Sequence, residues 1–170
     1  MENLQELSQA EGYYRRALEM YPQFVQAWNN LGNVLMYMHR LEEARQCFKR
    51  ALDYDSDIAD IHMNLANTLH RNGELEEAKS SCNKALELNP DWITPYKLLA
   101  ELYNTTGQSE ATIEICTKAL KIDDRDVDLY YHYGNALYNQ GRLEKAEVVF
   151  RKAIDSDLIS ADIYNAKGQL

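Results

Sequence analysis

The sequence predicts an all-α chain of stacked antiparallel helix pairs, and three observations predict it. Ala17, Ala51, Ala85, Ala119 and Ala153 recur at an unbroken spacing of 34 residues, each followed by an aliphatic residue. Two more ladders keep that interval: Gly32, Ala66, Ala100, Gly134 and Gly168, and Ala10, Ala44, Ala78, Thr112 and Ala146. Within each full period two runs of apolar residues follow helical spacing, and Gly73, Gly107 and Gly141 separate them in three of the four full periods. Small residues at fixed places mark close approach of two backbones, so the period defines a helix-packing unit.

Taken in order, the residues before Val25 read as the second helix of a pair without its first (Leu7, Ala10, Tyr14, Ala17, Leu18). From Val25, residues Trp28, Leu31, Gly32 and Leu35 fall at i, i+3, i+4 and i+7 and form one face of a first, or A, helix. Leu41, Ala44, Phe48, Ala51 and Leu52 mark the face of a second, or B, helix. Four full periods follow as 25–58, 59–92, 93–126 and 127–160, with 161–170 as a partial A helix carrying Tyr164 and Gly168. The third period departs most from the pattern, with Ser109 and Thr112 where others have leucine and alanine. The whole of 1–170 thus reads as one array, cut in mid-helix at both ends, as expected of a segment of a longer protein.

The glycines between A and B helices stand where a helix must stop and turn back, and His39 occupies that place in the first full period, predicting a strained turn. Pro22 and Pro90 lie two periods apart, just past B helices. Each B helix is expected to open with acid (Glu42, Glu43; Glu76, Glu77; Glu144) and to close with base (Lys49, Arg50; Lys84; Arg151, Lys152), complementing the helix dipole from a solvated outer face. Cys82 and Cys116 hold the packing place that Phe48 and Phe150 hold elsewhere, and read as buried small hydrophobes.

Composition narrows the function. With 45% hydrophobic and 26% charged residues, the chain is globular rather than disordered. A net charge of −9 argues against nucleic acid and against an anionic membrane as partners. The amino terminus lacks a secretory pattern and three cysteines make no disulfide framework, so the expected address is cytoplasmic, or the secretory lumen if the parent protein carries a signal or membrane spans. There is no phosphate loop, CxxC, HExxH or GxSxG, and the four histidines are scattered. The reading is a non-enzyme with no catalytic residues, no metal and no cofactor. Asn104, Thr105 and Thr106 form a glycosylation sequon, read as a chance match.

Trp28, Leu31, Gly32, Ala44, Phe48 and Ala51, repeated as Leu65, Ala66, Gly73, Ala78, Ala85 and Pro90, resemble the tetratricopeptide repeat signature, which shares the period of 34. The resemblance implies a right-handed superhelical α-solenoid in which A helices line a concave groove and B helices lie outside. Places two, five, six, nine, twelve and thirteen of each period should then face the groove, Asn29, Met63 and Leu98 among them. The candidate partner-binding residues are Asn30, Asn33, Tyr37, Asn64, Asn67, Arg71, Lys97, Tyr131, Asn135 and Tyr138.

A carboxamide both donates and accepts, so a row of asparagines can serve an extended peptide backbone of any sequence, or can bond one repeat to the next. Tyr37, Tyr131 and Tyr138 are candidate anchors. Arg71 and Lys97 are offset by Asp60, Glu101 and Asp128, which predicts a neutral or basic protein or peptide ligand rather than an acidic tail. Two further expectations stand beside this scaffold reading. WNNLGN from Trp28 and NLAN from Asn64 are similar to the repeats of O-linked glycosyltransferases, which would make the chain the substrate-recognition region of a larger enzyme. The incomplete pairs at the two ends would also permit head-to-tail self-association.

Overall fold

The computed structural model describes the backbone of residues 2–167 and the side chains of residues 4–155. Among the described residues the chain forms nine α-helices and no strand, in two compact units, Met1–Pro90 and Asp91–Leu170. The first unit holds α1 (Glu2–Met20), α2 (Val25–Tyr37), α3 (Leu41–Tyr54), α4 (Ala59–Arg71) and α5 (Leu75–Leu88). The second holds α6 (Ile93–Thr105), α7 (Ser109–Ala119), α8 (Val127–Asn139) and α9 (Leu143–Lys167). The A helices α2, α4, α6 and α8 each start 34 residues after the one before, and each packs on the B helix that follows it. Between pairs, α1 packs on α2 and α3 on α4 in the first unit, and α7 packs on α8 in the second.

One device turns the chain back at the end of every A helix. The amides of Arg40, Glu74, Gln108 and Arg142 donate to the carbonyls of Leu35, Leu69, Tyr103 and Leu137 at 2.8 to 3.0 Å. Each closure needs a left-handed residue just before the donor. Gly73, Gly107 and Gly141 supply it with φ of 82°, 71° and 73°, and His39 adopts it at 60°, so the strained turn expected there is present.

The core lies along the seam of each pair. Leu31, Leu35, Ala44, Phe48 and Ala51 are buried between α2 and α3, and each large side chain among them contributes roughly 1.5–3 kcal/mol on leaving water. Gly32 is where the backbones come closest: a methyl added to it would lie 2.6 Å from Cε1 of Phe48. Gly134 is crowded in the same way by Phe150. In the two intervening periods the pair is Ala66 with Cys82 and Ala100 with Cys116, all fully buried, so a larger residue on the A helix goes with a smaller one on the B helix. Thr112 takes alanine's place in α7 and satisfies its buried hydroxyl by donating to the Gln108 carbonyl at 3.2 Å.

Two sequence expectations are corrected. The A helix expected from Ala161 is not separate, because α9 runs unbroken from Leu143 to Lys167. Earlier links break the helix with turn formers: Asp55 and Asp123 accept the amides of Asp57 and Arg125 two residues on, and Pro90 stands in the third. The fourth link keeps an aspartate at the place of Asp55 and Asp123, Asp157, followed by Leu158 and Ile159, so that aspartate alone does not stop a helix. Gly168, the last rung of its ladder, lies outside the described residues.

The second correction concerns charge. The acids do open the B helices, but the last turns of α3 and α5 contain no base. Both helices run a full turn past Arg50 and Lys84, and these cations pair instead with Asp53 and Glu87 three residues on. No helix among the described residues is long and apolar enough to cross a membrane.

Candidate functional site

On α2, Asn30, Asn33 and Tyr37 lie at i, i+3 and i+7 and so share a face. On α4, one period later, Asn64, Asn67 and Arg71 repeat that spacing. Both helices belong to the first unit and pack against each other. Tyr37 is exposed and the asparagines are half-buried, as befits side chains at the edge of a packing stripe.

The amides divide into two kinds. Asn64 donates its Nδ2 to Oδ1 of Asn29 at 3.0 Å, joining α4 to α2. Asn29 is buried at 9% exposure and so belongs to the interior, contrary to the groove place expected for it. Met63 and Leu98 are likewise buried rather than groove-facing, which corrects two more of those places. Among the described residues, by contrast, Asn30, Asn33, Asn67 and Asn135 find no side-chain hydrogen-bond partner. Their donors and acceptors are left for solvent or a ligand.

The two candidate cations are engaged within the chain. Arg71 donates to the Met36 carbonyl at 3.3 Å and to Nδ1 of His39 at 3.2 Å, so it braces the strained turn at the end of α2. Lys97 of α6 pairs with Asp126 at 3.0 Å and with Asp128. Burial works against the Lys97 charge, but hydrogen bonds to Asp128 and Asp126 outweigh it and hold the ammonium above its ordinary range.

The second unit places Tyr131, Asn135 and Tyr138 at i, i+4 and i+7 of α8. Tyr131 and Tyr138 are exposed, and Tyr131 meets the neighbouring His132 edge-on at 5.7 Å between ring centroids. Tyr130 is buried, and its hydroxyl donates to the Asp124 carbonyl at 2.9 Å. Asn104 of α6 donates Nδ2 to the His132 carbonyl at 3.1 Å, while its buried Oδ1 has no partner. The sequon nitrogen is therefore engaged in packing α6 against α8. Burial depresses the His132 imidazole below its ordinary range, with Glu101 and Asp128 pulling the other way.

The cysteines are interior groups. Burial pushes the thiol of Cys47 up to about 11 and those of Cys82 and Cys116 to about 12, so none is a thiolate near neutrality.

Models described as tetratricopeptide repeat match residues 13–46, 30–91 and 105–170. Among solved structures, the chain is similar to MamA, with a TM-score of 0.89 and 22% identity over 92% of this chain and 91% of that one. It is also similar to YrrB, described as a TPR protein with an unusual peptide-binding site, with a TM-score of 0.82 and 23% identity over 96% and 84% of the two chains. A third is pilF of Pseudomonas aeruginosa, with a TM-score of 0.72 and 20% identity over 87% and 69%. At such identities the likeness is one of fold. No curated protein sequence matches the chain.

Proposed function

Because this chain belongs to the tetratricopeptide repeat family, we propose that it is a protein-interaction scaffold, without chemistry of its own, that binds an extended segment of a partner along its A helices. The observation that carries this reading is the set of unpaired amides of Asn30, Asn33 and Asn67 beside exposed Tyr37, on two adjoining helices of one unit. Such amides can bond the N–H and C=O groups of a peptide in any sequence. Tyr131, Asn135 and Tyr138 give α8 of the second unit the same combination. The peptide-binding site named for YrrB supports the reading by fold analogy.

The ligand is neutral or basic. Lys97 already pairs with Asp126 and Asp128, which leaves Arg71, tied to the Met36 carbonyl and His39, as a lone cation among the candidate residues rather than the cluster an acidic tail needs. The buried cysteines suit a reducing compartment, the cytoplasm.

Selection of random displayed peptides against the full chain tests this. Selected peptides should be extended and uncharged or basic, and Asn33→Ala with Asn67→Ala should weaken them by at least about fivefold, roughly 1 kcal/mol, with the helical circular dichroism unchanged. Selected peptides that bind the folded double variant as tightly as the wild type would overturn the groove assignment.

A further inference from the structure

We propose that the edge of the first unit where α1 and α3 end is a second docking surface, for a partner segment that sets a lysine or arginine among apolar side chains. Met20, Tyr21, Pro22, Gln23, Phe24 and Tyr54 line an open cleft there of about 620 Å³. Four of these side chains are large, apolar and left in water, with exposures of 68% for Met20, 63% for Tyr21, 50% for Phe24 and 44% for Tyr54. Scattered exposed apolar residues are ordinary, but a contiguous group lining one cleft marks a contact surface. The row continues along the unit, since Met20, Tyr54 and Leu88 are successive occupants of one place, the last residue of each B helix, and Leu88 is also exposed.

Charge decides what the cleft accepts. A helix carboxyl end carries partial negative charge on its free carbonyls, normally answered by a base in the last turn. The last turns of α1, α3 and α5 contain none. The bases of α1 and α3 nearest these ends, Arg16 and Arg50, stand a turn earlier. The flanking residues Glu19, Asp53, Asp55 and Asp57 are acidic and exposed. Of these, Asp53 pairs with Arg50 only at 3.7 Å, while Asp55 and Asp57 accept from the Asp57 amide and the Ser56 hydroxyl. The amino end of α2, which begins just after Phe24, offsets one of these carboxyl ends, and the four carboxylates still outnumber Arg16 and Arg50. The three aromatic rings and the thioether therefore lie on an acidic edge suited to a cation: the rings take its charge on their faces and Met20 packs on its aliphatic stem. An acidic segment meets repulsion here, and a neutral one gains the apolar contact alone.

Fluorescence anisotropy of the full chain with three short labelled peptides tests the assignment, the peptides alternating leucine with lysine, with serine or with glutamate. The leucine–lysine peptide should bind, and bind less tightly as salt screens the acids. The serine peptide should bind about tenfold more weakly and the glutamate peptide not at all. Met20→Ser with Tyr54→Ser alters two exposed positions, and should weaken the lysine peptide by about tenfold while helicity is unchanged. The comparisons are made in an Asn33→Ala/Asn67→Ala background, which weakens the asparagine-bearing faces and so reads binding at this edge. In that background, undiminished binding by the Met20/Tyr54 variant, or equal binding of the serine peptide, would each overturn the proposal.

Discussion

Asn29 on α2 accepts at Oδ1 the Nδ2–H of Asn64 on α4, at 3.0 Å, from a buried position. Asn64→Ala removes the donor and leaves the Asn29 oxygen without its partner, which should cost about 1–3 kcal/mol. Asn67, one turn along the same helix, has no such bond, and Asn67→Ala should change stability by less than about 0.5 kcal/mol. Urea unfolding of the two variants tells them apart, and equal losses would mean that the Asn29–Asn64 bond is not what holds the helices.

Gly32 and Phe48 should behave as one packing unit. Gly32→Ala drives a methyl into the Phe48 ring and should cost roughly 1–3 kcal/mol. Adding Phe48→Cys recreates the Ala66–Cys82 combination of the next period, so the double variant should be more stable than the sum of the two single losses predicts. A thermodynamic cycle from denaturant melts reads the coupling, and strict additivity would refute it.

His39 holds a left-handed backbone that a side chain disfavours, by about 1–2 kcal/mol in the general case. His39→Gly should therefore stabilise the chain by roughly 0.5–1 kcal/mol, reduced by the lost contact to Arg71. The thermal midpoint should rise. Gly73→His, the reverse change one period on, should lower it.

The depressed His132 imidazole sets a pH dependence in the second unit. Its ordinary value is 6.5 and burial lowers it, so between the two values the unfolded chain binds the proton and the folded chain does not. Stability is then fully present above about 6.5 and falls as the pH drops below it. Glu101, Asp126 and Asp128 oppose the depression and Lys97 adds to it. Thermal melts at neutral and mildly acidic pH should show a larger acid loss for the wild type than for His132→Gln. An identical acid loss would remove His132 as its source.

Cys47, Cys82 and Cys116 should resist alkylation in the native chain and react together when it unfolds, since each thiol is buried and held far above neutrality. Mass spectrometry after an iodoacetamide pulse, without and then with denaturant, measures this. Rapid labelling of Cys82 in the native state would show that its seam opens.

The packing seams were legible in the sequence because they are written in volume: the ladder through Ala51 and Ala85 and the one through Gly32 and Ala66 place the helices to the residue. The left-handed turn at His39 was legible by the same register. What the register does not hold is the choice each side chain makes within its place. Asn64 could reach a ligand or Asn29, and the outcome depends on the offset between α2 and α4, which periodicity leaves open. Met63 and Leu98 occupy groove-facing places by count, yet are long and apolar enough to turn into the interior. Helix ends were the least legible part. Arg50 and Lys84 looked terminal until α3 and α5 ran a turn beyond them, and α9 carried on past Asp157, although Asp55 at the same place ends α3. The cleft of Met20, Tyr21, Phe24 and Tyr54 had a partial signal, an apolar residue closing each B helix, but its exposure shows only in three dimensions.

The pairing of Gly32 with Phe48 and of Ala66 with Cys82 also limits how such a chain can be recombined. A crossover in the turn at His39 would join α2 to α5 and set Gly32 against Cys82, leaving a void. The reciprocal product would join α4 to α3 and press Ala66 into Phe48. A crossover in the links between pairs, at Asp55 or Pro90, disturbs neither match. The helix pair, sealed by its own size match, is thus the smallest module that can be exchanged, duplicated or deleted with its interior intact.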